Sequence, residues 1–379
     1  MVSGKHPTIA LVHDYLYEYG GAERVLEALH ELYPDAPVYV AFADRKALGI
    51  HSERFATWDI RESWLTKIPF YSKLFSPLRV LAPWFFRAFD LHGYDVVISS
   101  SSVYFSKAVK PAPQAVHITY CHTPPRSLYG YSTTRNWKRT PFLRWIMNMI
   151  NAYLRVIDRR VSRKVDHFIA NSEEVRRRIA NVYQRESTVI HPPVNVPEEL
   201  ISCKEKEGLK GGYYLYVGRL TFAKHPELAI EACNRVKVPL KVAGTGDMLP
   251  MLAAVAGPTV EVLGAVSDQA LSQLYSCAKA LLYPVEDEDF GIVPVEAMGH
   301  GVPVIAHRSG GPLETVIDNK TGIFFNELTA DSLADAINRF ESATFDKHDI
   351  HQHATTFGKE RFQREIKEFI GQAITEKRP

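Results

Sequence analysis

The chain has 379 residues, 46% of them apolar and 23% charged, with a formal net charge of +2. That balance describes a soluble globular protein, and it argues against both a disordered chain and a nucleic-acid partner. The length exceeds one ordinary core, so two α/β domains are expected. The cysteines, Cys121, Cys203, Cys233 and Cys277, lie far apart and form no CxxC pair. Neither a disulfide framework nor a zinc site is therefore expected, and a reducing cytosol fits. The amino-terminal end shows no signal-peptide pattern, and no window approaches the roughly 18 uninterrupted apolar residues of a membrane span. The expected location is the cytoplasm, free or against the membrane from that side.

Residues 9–12 read as a first strand, followed by Gly20-Gly21 and a helix over 22–32. Further strands are predicted at 38–42, 96–99, 117–120 and 167–170, the last after a long helical stretch. Val189-Ile190 then runs into the proline-stiffened connector His191-Pro192-Pro193-Val194-Asn195. The same grammar restarts after a charged, glycine-containing linker at 204–212, with strands at 213–217, 240–243, 260–263, 280–283, 303–306 and 322–325 and a helix over 226–235. Strands alternating with helical pattern imply parallel βαβ units. The expected domains are residues 1–195 and 196–358, two Rossmann-like halves hinged near 193–212. The final segment, 359–379, is expected to form a helix that completes the first half.

The most informative stretch is Glu288-Asp289-Phe290-Gly291-Ile292-Val293-Pro294-Val295-Glu296. It places two carboxylates around an apolar turn where a parallel strand ends and a helix begins, the usual ligand position in an open α/β sheet. Acids there suit the hydroxyls of a sugar and of a ribose. Gly218-Arg219-Leu220-Thr221-Phe222-Ala223-Lys224 combines a strand-terminal glycine with two cations. Taken alone these are ordinary surface charges; beside the acidic pair they read as a diphosphate site. Gly20-Gly21 after the first strand opens a helix whose N–H groups suit an anion, although such a pair is often merely a turn. Gly310-Gly311-Pro312 is a similar helix-opening candidate.

Other features are weaker. Gly244-Thr245-Gly246 copies part of a dinucleotide fingerprint, but Leu249 stands where a third glycine is needed and only Glu261 offers an acid downstream. A tight βα turn is the better reading. His122, in Cys121-His122-Thr123-Pro124-Pro125-Arg126, either touches a substrate hydroxyl or hydrogen-bonds the local backbone, and the residues leave both open. His13-Asp14 is a fainter version of the same pattern. No HExxH, P-loop or GxSxG elbow occurs, and Glu286-Asp287-Glu288-Asp289 reads as a hydrated loop with one inward acid, so no metal is expected.

Two segments mix cations with aromatic residues. One holds Trp64, Lys67, Phe70, Tyr71, Lys73, Phe75, Arg79, Trp84, Phe85, Phe86 and Arg87. The other begins Arg135, Trp137, Lys138, Arg139, Phe142, Arg144 and Trp145 and runs on through Tyr153, Arg155, Arg159, Arg160, Arg163 and Lys164, with Asp158 as its sole acid. Such mixtures suit an anionic membrane surface. The plainer reading buries the aromatics and solvates the cations. It accounts for Leu143, Ile146, Ile150 and Leu154 better than for the excess of positive charge.

Taken in order, these motifs resemble the retaining family 4 glycosyltransferases of the GT-B fold. The Glu288 and Glu296 pair resembles that family's acidic motif, Gly218-Arg219 with Lys224 its phosphate-binding pair, and Gly20-Gly21-Ala22-Glu23 its amino-terminal glycine loop. His13-Asp14-Tyr15, Gly20-Gly21-Ala22-Glu23-Arg24 and Tyr120-Cys121-His122-Thr123-Pro124 are similar to bacterial mannosyltransferases that build O-antigen or exopolysaccharide on polyprenyl diphosphate. Lys224-His225-Pro226 departs from the commoner Lys-Asn or Lys-Gly, a change that bears on loop shape and not on the lysine charge.

The resemblance implies an α/β, GT-B chain that transfers mannose from GDP-mannose, with retention and without a cofactor or metal, to a lipid-linked saccharide. Its place would be the inner face of the cell membrane. Arg219 and Lys224 would stabilise the leaving diphosphate. Glu288 would hold the sugar hydroxyls beside the Phe290, Gly291, Ile292 and Val293 backbone, and Glu296 would take the ribose hydroxyls. His122 would serve the reacting sugar, and Gly20 and Gly21 the donor. Closing of the domains would exclude water. Three rivals remain: a UDP-sugar transferase of the same fold, an NAD enzyme, and a non-catalytic membrane-surface binding protein.

Overall fold

Strand β1 (Ile9–His13) is buried along its whole length, and so are β4 (Val96–Ser101) and β5 (Val116–Cys121). Strands covered on both faces belong to parallel sheets flanked by helices. The computed structural model of the chain describes residues 7–71, 74, 78–131, 141–203 and 212–377. All but Gly212 of the linker expected at 204–212 lies outside them, as do Lys73, Phe75, Arg135, Trp137, Lys138 and Arg139.

The chain divides into two units, residues 1–193 with 360–379, and residues 194–359. The first carries a seven-stranded parallel sheet, which adds β2 (Val38–Val40), β3 (Ile60–Glu62), β6 (His167–Ala170) and β7 (Thr188–Val189), in the order β3-β2-β1-β4-β5-β6-β7. In the second, β8 (Tyr213–Val217), β9 (Leu240–Ala243), β10 (Val260–Gly264), β11 (Ala278–Tyr283), β12 (Val304–His307) and β13 (Gly322–Phe325) form a parallel sheet in the order β10-β9-β8-β11-β12-β13. Strand order reverses beside β1 in one sheet and beside β8 in the other. Crevices at the carboxyl ends of the β1/β4 and β8/β11 pairs are therefore the favoured ligand positions.

The final helix, Lys359–Lys377, joins the first unit because its sequence carries one apolar stripe. Phe362, Ile366, Ile370 and Ala373 are all buried, in the same cluster as Leu11, Val25, Ile118 and Tyr120. At its end the Lys377 ammonium donates to the Asp166 carboxylate at 2.6 Å. Near its start Arg361 donates to the His191 carbonyl at 2.9 Å.

One expectation is overturned. Cys203 and Cys277 form a disulfide, with Cα atoms 4.8 Å apart across a sequence separation of 74. Cys277 immediately precedes β11, and Cys203 lies earlier in the chain than β8, the strand that pairs with β11. Spacing in sequence carries no trace of that strand adjacency, and the argument from cysteine usage to a reducing compartment loses its ground. Cys121 and Cys233 are free and buried.

Phe362 is fully covered, so Phe362→Ala should lower the stability of the amino-terminal unit by about 3–5 kcal/mol. Urea unfolding followed by a probe in that unit would measure it, since two units need not melt together.

Candidate active site

In the second unit the site begins where β8 ends. Gly218, Arg219 and Leu220 turn away from the sheet, and Leu220 N–H donates to the Thr245 carbonyl at 2.8 Å. Arg219 is exposed on this loop. A short 3₁₀ turn, Phe222–Lys224, leads to the helix Pro226–Val236. His225 between them is left-handed, with φ 48° and ψ 46°. That region favours asparagine and glycine over other residues, which accounts for the commoner Lys-Asn and Lys-Gly. The His225 ring hydrogen-bonds Glu227 at 3.0 Å while its backbone holds the left-handed turn.

Lys224 meets the acidic loop directly. Its ammonium donates to the Glu288 carboxylate in an ion pair that is largely buried. Tyr283, the last residue of β11, donates its hydroxyl to the same carboxylate oxygen at 2.7 Å. Burial, with the Glu288 charge beside it, pushes the Tyr283 phenol well above its ordinary range, so it stays a donor. Tyr216 from β8 donates to the Lys224 carbonyl at 3.1 Å and fixes the cation's backbone. Among the acids at 286–289, Glu286 is exposed and the other three are half-buried, where one inward acid was expected; Glu288 is the one that pairs with Lys224.

Phe290 is buried, and Gly291, with φ 86°, opens the helix Ile292–Gly299. Ile292 and Val293 form the first turn of that helix. Its Glu296 is buried and accepts from the Tyr275 hydroxyl at 3.2 Å. Lys224 and Glu288 are therefore in contact. Arg219 shares the Lys224 loop, and Glu296 lies on the helix that follows the Glu288 loop, fixed by its own tyrosine.

The other glycine motifs turn out to support these loops. A Cβ on Gly244 would lie 1.9 Å from the Gly218 carbonyl oxygen, and one on Gly246 would lie 2.3 Å from that of Leu220. These glycines let two loops touch backbone to backbone, which gives the tight-turn reading a physical cause. Gly310 and Gly311 do the same for the acidic loop: Gly311 N–H donates to the Glu288 carbonyl at 2.9 Å, and a Cβ there would lie 2.1 Å from the Phe290 oxygen. The helix they open, Pro312–Thr315, is only four residues long.

In the first unit Gly20 caps the helix Gly21–Leu32 and donates its N–H to the Glu23 carboxylate at 2.8 Å. The same carboxylate meets the His13 ring at 3.3 Å. His122 follows β5 and hydrogen-bonds the Ser100 hydroxyl at 2.8 Å through Nε2. The backbone partner considered for His122 is thus replaced by a side chain on the neighbouring strand. Asp14 is committed to structure. Its carboxylate accepts from the backbone N–H groups of Ser102, Val103, Tyr104 and Ser106 at 2.7–2.9 Å. Burial alone would raise its pKa, but those backbone donors outweigh it and hold the group below the ordinary value.

Ser100, Tyr283 and Tyr275 escape the sequence reading. A hint exists in Val96-Val97-Ile98-Ser99-Ser100-Ser101: a buried strand turns from apolar to hydroxyl-bearing just where it reaches the ligand edge. Among the described residues no group of three His, Cys, Asp or Glu is placed to hold a metal.

A further surface stands out on the helix Pro141–Ser162. Trp145, Met149, Tyr153 and Val156 are 49–61% exposed and lie along one stripe, with exposed Arg159, Arg160, Arg163 and Lys164 continuing it. Its opposite face buries Leu154 and Asp158, the latter paired with Lys107 at 2.8 Å. Ile150 is half-buried, whereas the side chains of Leu143 and Ile146 lie outside the described set. Phe85 and Phe86 are fully buried, as the plainer reading of the first basic-aromatic segment holds, while Phe70 is 74% exposed. Among the described residues no helix is long and apolar enough to cross a membrane.

Two family models match the chain in succession: Glycosyltransferase Family 4 over residues 19–197, and Glycosyl transferases group 1 over residues 198–357. An alpha-1,3/1,6-mannosyltransferase of Kluyveromyces lactis is 28% identical over 257 residues, 55% of this chain and 49% of the relative. A D-inositol 3-phosphate glycosyltransferase of Mycobacteroides abscessus is 24% identical over 244 residues, 58% of this chain and 55% of the relative. The chain spans about half the length of these curated relatives. Among solved structures, sucrose-phosphate synthase of Thermosynechococcus elongatus matches with a TM-score of 0.71 at 18% identity, covering 98% of this chain and 100% of that one. Anabaena HepE in complex with UDP-glucose matches at 0.70 and 17% identity, covering 97% and 100%. At these identities the structures share the fold.

Burial pushes His117 and His122 down to about 4 from 6.5. The unfolded chain binds those protons first, so the stability they carry is whole above pH 6.5 and is lost as pH falls toward 4. Each loss should reach on the order of 2 kcal/mol at pH 5. Thermal melts of the wild type should drop between pH 7 and pH 5, and those of His117→Asn should drop less over that roughly two-unit interval.

Proposed function

Because the chain belongs to the family 4 glycosyltransferases of the GT-B fold, we propose that it moves mannose from GDP-mannose, with retention, onto a lipid-linked saccharide. The observation that carries the transferase reading is the contact of Lys224 with Glu288 at the carboxyl edge of the β8/β11 pair, steadied by Tyr283. A cation for a diphosphate and an acid for sugar hydroxyls are there held side by side in a part-buried site, where charges are screened less than in water. The relative named as a mannosyltransferase supports the choice of sugar.

In this reading the leaving diphosphate takes the acceptor hydroxyl's proton on the face of the sugar where the new bond forms. Arg219 and Lys224 stabilise the charge growing on the leaving oxygen. Glu288 then exchanges part of its hold on Lys224 for the sugar hydroxyls. Glu296, with Tyr275, receives the ribose, and His122 serves the transferred sugar. In the same reading Gly20 and Gly21 serve the donor, in a loop whose own shape is held by the tie to Glu23.

A second reading, transfer from a UDP-sugar, has its own support in the fold-level likeness to a protein solved with UDP-glucose. A donor panel separates the two: the pure protein is given GDP-mannose, UDP-glucose and UDP-galactose with a lipid-linked acceptor, and nucleotide release is followed. Arg219→Ala and Lys224→Ala should each cut kcat by at least ~100-fold. Glu296→Ala should mainly raise the donor KM, by about tenfold. Near-normal turnover by the first two variants would refute the assigned roles.

The stripe of Trp145, Met149, Tyr153 and Val156, ending in basic residues, supports operation against an anionic membrane surface. Sedimentation with phosphatidylglycerol vesicles should weaken roughly tenfold in Trp145→Ser/Val156→Ser. Equal sedimentation of the variant and the wild type would remove the stripe from the account.

A further inference from the structure

The carboxyl ends of β1, β4 and β5 share a line of side chains that ends at His122 and whose middle members, His13 and Ser100, the transfer chemistry above does not use. Glu23 Oε1 meets His13 Nε2 at 3.3 Å, His13 Nδ1 meets Ser100 Oγ at 2.9 Å, and Ser100 Oγ meets His122 Nε2 at 2.8 Å. All four residues are buried, from 1% exposed at Ser100 to 8% at His122. They come from three strands and one helix whose positions in sequence run from 13 to 122. A chain of four polar residues at the edge of an apolar sheet is costly to assemble unless every bond is made. Here every link is made.

We propose that Glu23, His13 and Ser100 act as positioning residues that decide which ring nitrogen of His122 carries its proton. The direction of the line follows from its fixed end. The Gly20 backbone N–H donates to Glu23 Oε2 and has no way to accept, and an ionised carboxylate is acceptor-only. Glu23 Oε1 therefore accepts from His13 Nε2–H. In the proposed line His13 carries its single proton at Nε2 and presents Nδ1 as an acceptor, so the Ser100 hydroxyl donates its one proton there. With that proton spent, Ser100 Oγ accepts from His122 Nε2–H. The outcome is a His122 whose Nδ1 carries a lone pair. Burial pushes His122 down to about 4, so the ring stays neutral near pH 7 and has a tautomer to choose. Asp14 spends its hydrogen bonds on residues 102–106 and lends the two rings only its charge.

The arrangement has a second consequence. Glu23 holds the Gly20 N–H with one oxygen and His13 with the other, so one carboxylate sets both the glycine loop and the polarity of His122. An acceptor at Nδ1 suits a sugar hydroxyl, which has a proton to give. That last step rests on the proposed role of His122 in transfer. The tautomer itself does not.

The test has two arms so that the outcomes stay separate. In the first, the full chain is labelled with ¹⁵N-histidine, and the His122 signals are identified by their loss in His122→Asn. The wild type should show one neutral tautomer, protonated at Nε2. Ser100→Ala should give a mixture, and Ser100→Thr, which keeps the hydroxyl, should restore the single form. An unchanged His122 pattern in Ser100→Ala overturns the proposal whatever the enzyme does. Should Ser100→Ala melt far below the wild type, Ser100→Gly, which also removes the hydroxyl, is read by the same criterion.

In the second arm, turnover with the donor selected by the panel is measured for Ser100→Ala, His13→Phe and the double variant. Each single change should lower kcat about tenfold or more with the donor KM unchanged, and the double variant should be no worse than the poorer single. Losses that multiply would show two independent structural effects and count against the relay. If the wild type binds and turns over no nucleotide sugar, the transfer reading fails, and the spectra still decide the tautomer.

Discussion

Strands covered on both faces leave little room for polar side chains except where the chain leaves the sheet, and this constraint organises both units. In the first sheet, β4 is apolar at Val96, Val97 and Ile98 and becomes Ser99, Ser100 and Ser101 at its end. In the second, β11 ends in Tyr283, whose ring joins the core while its hydroxyl reaches Glu288. The hydrophobic effect thus gathers the strands and leaves much of the remaining chemistry at one edge; the polar exceptions inside β5, His117 and Thr119, are paired with Ser99 of β4. Because the order of strands reverses beside β1 and β8, that edge opens at two defined crevices instead of along the whole sheet.

Those crevices are bounded by loops packed on loops. Gly244 and Gly246 bring the turn after β9 against residues 218–220, and Gly310 and Gly311 bring the turn after β12 against residues 288–290. Each contact puts backbone where a side chain would collide, so the main-chain groups satisfy one another directly. The cation and the acid of the candidate site therefore stand on backbone held from behind. This is the kind of support that keeps a charged pair in place before any ligand arrives.

Much of this was legible in the sequence. Predicted strands at 167–170, 213–217, 240–243 and 322–325 coincide with those observed. Lys224 and Glu288, singled out for their types and order, lie in contact. The failures share a cause. Strand β3, Ile60–Glu62, is short and at the sheet edge, with Arg61 and Glu62 exposed, so it shows no apolar run. β4 and β5 extend beyond their predicted ends because serine and cysteine there read as loop. Ser100, Tyr275 and the Cys203–Cys277 bridge depend on which strand or helix lies beside which, and periodicity holds no information about that. His122 was legible as a candidate, but its partner was not, since the bond comes from a strand 22 positions away.

The bridge between Cys203 and Cys277 also fixes how mechanical load enters the second unit. The chain arrives there from the first unit through residues 194–203 and would otherwise pull on β8, the strand that begins the sheet and sits between β9 and β11. With Cys203 tied to the residue that precedes β11, tension along that connector passes across the covalent link to the neighbouring strand and bypasses β8. β8, which ends at the loop carrying Arg219 and Lys224, is thereby spared from being peeled out of its ladder by tugging from its amino-terminal side.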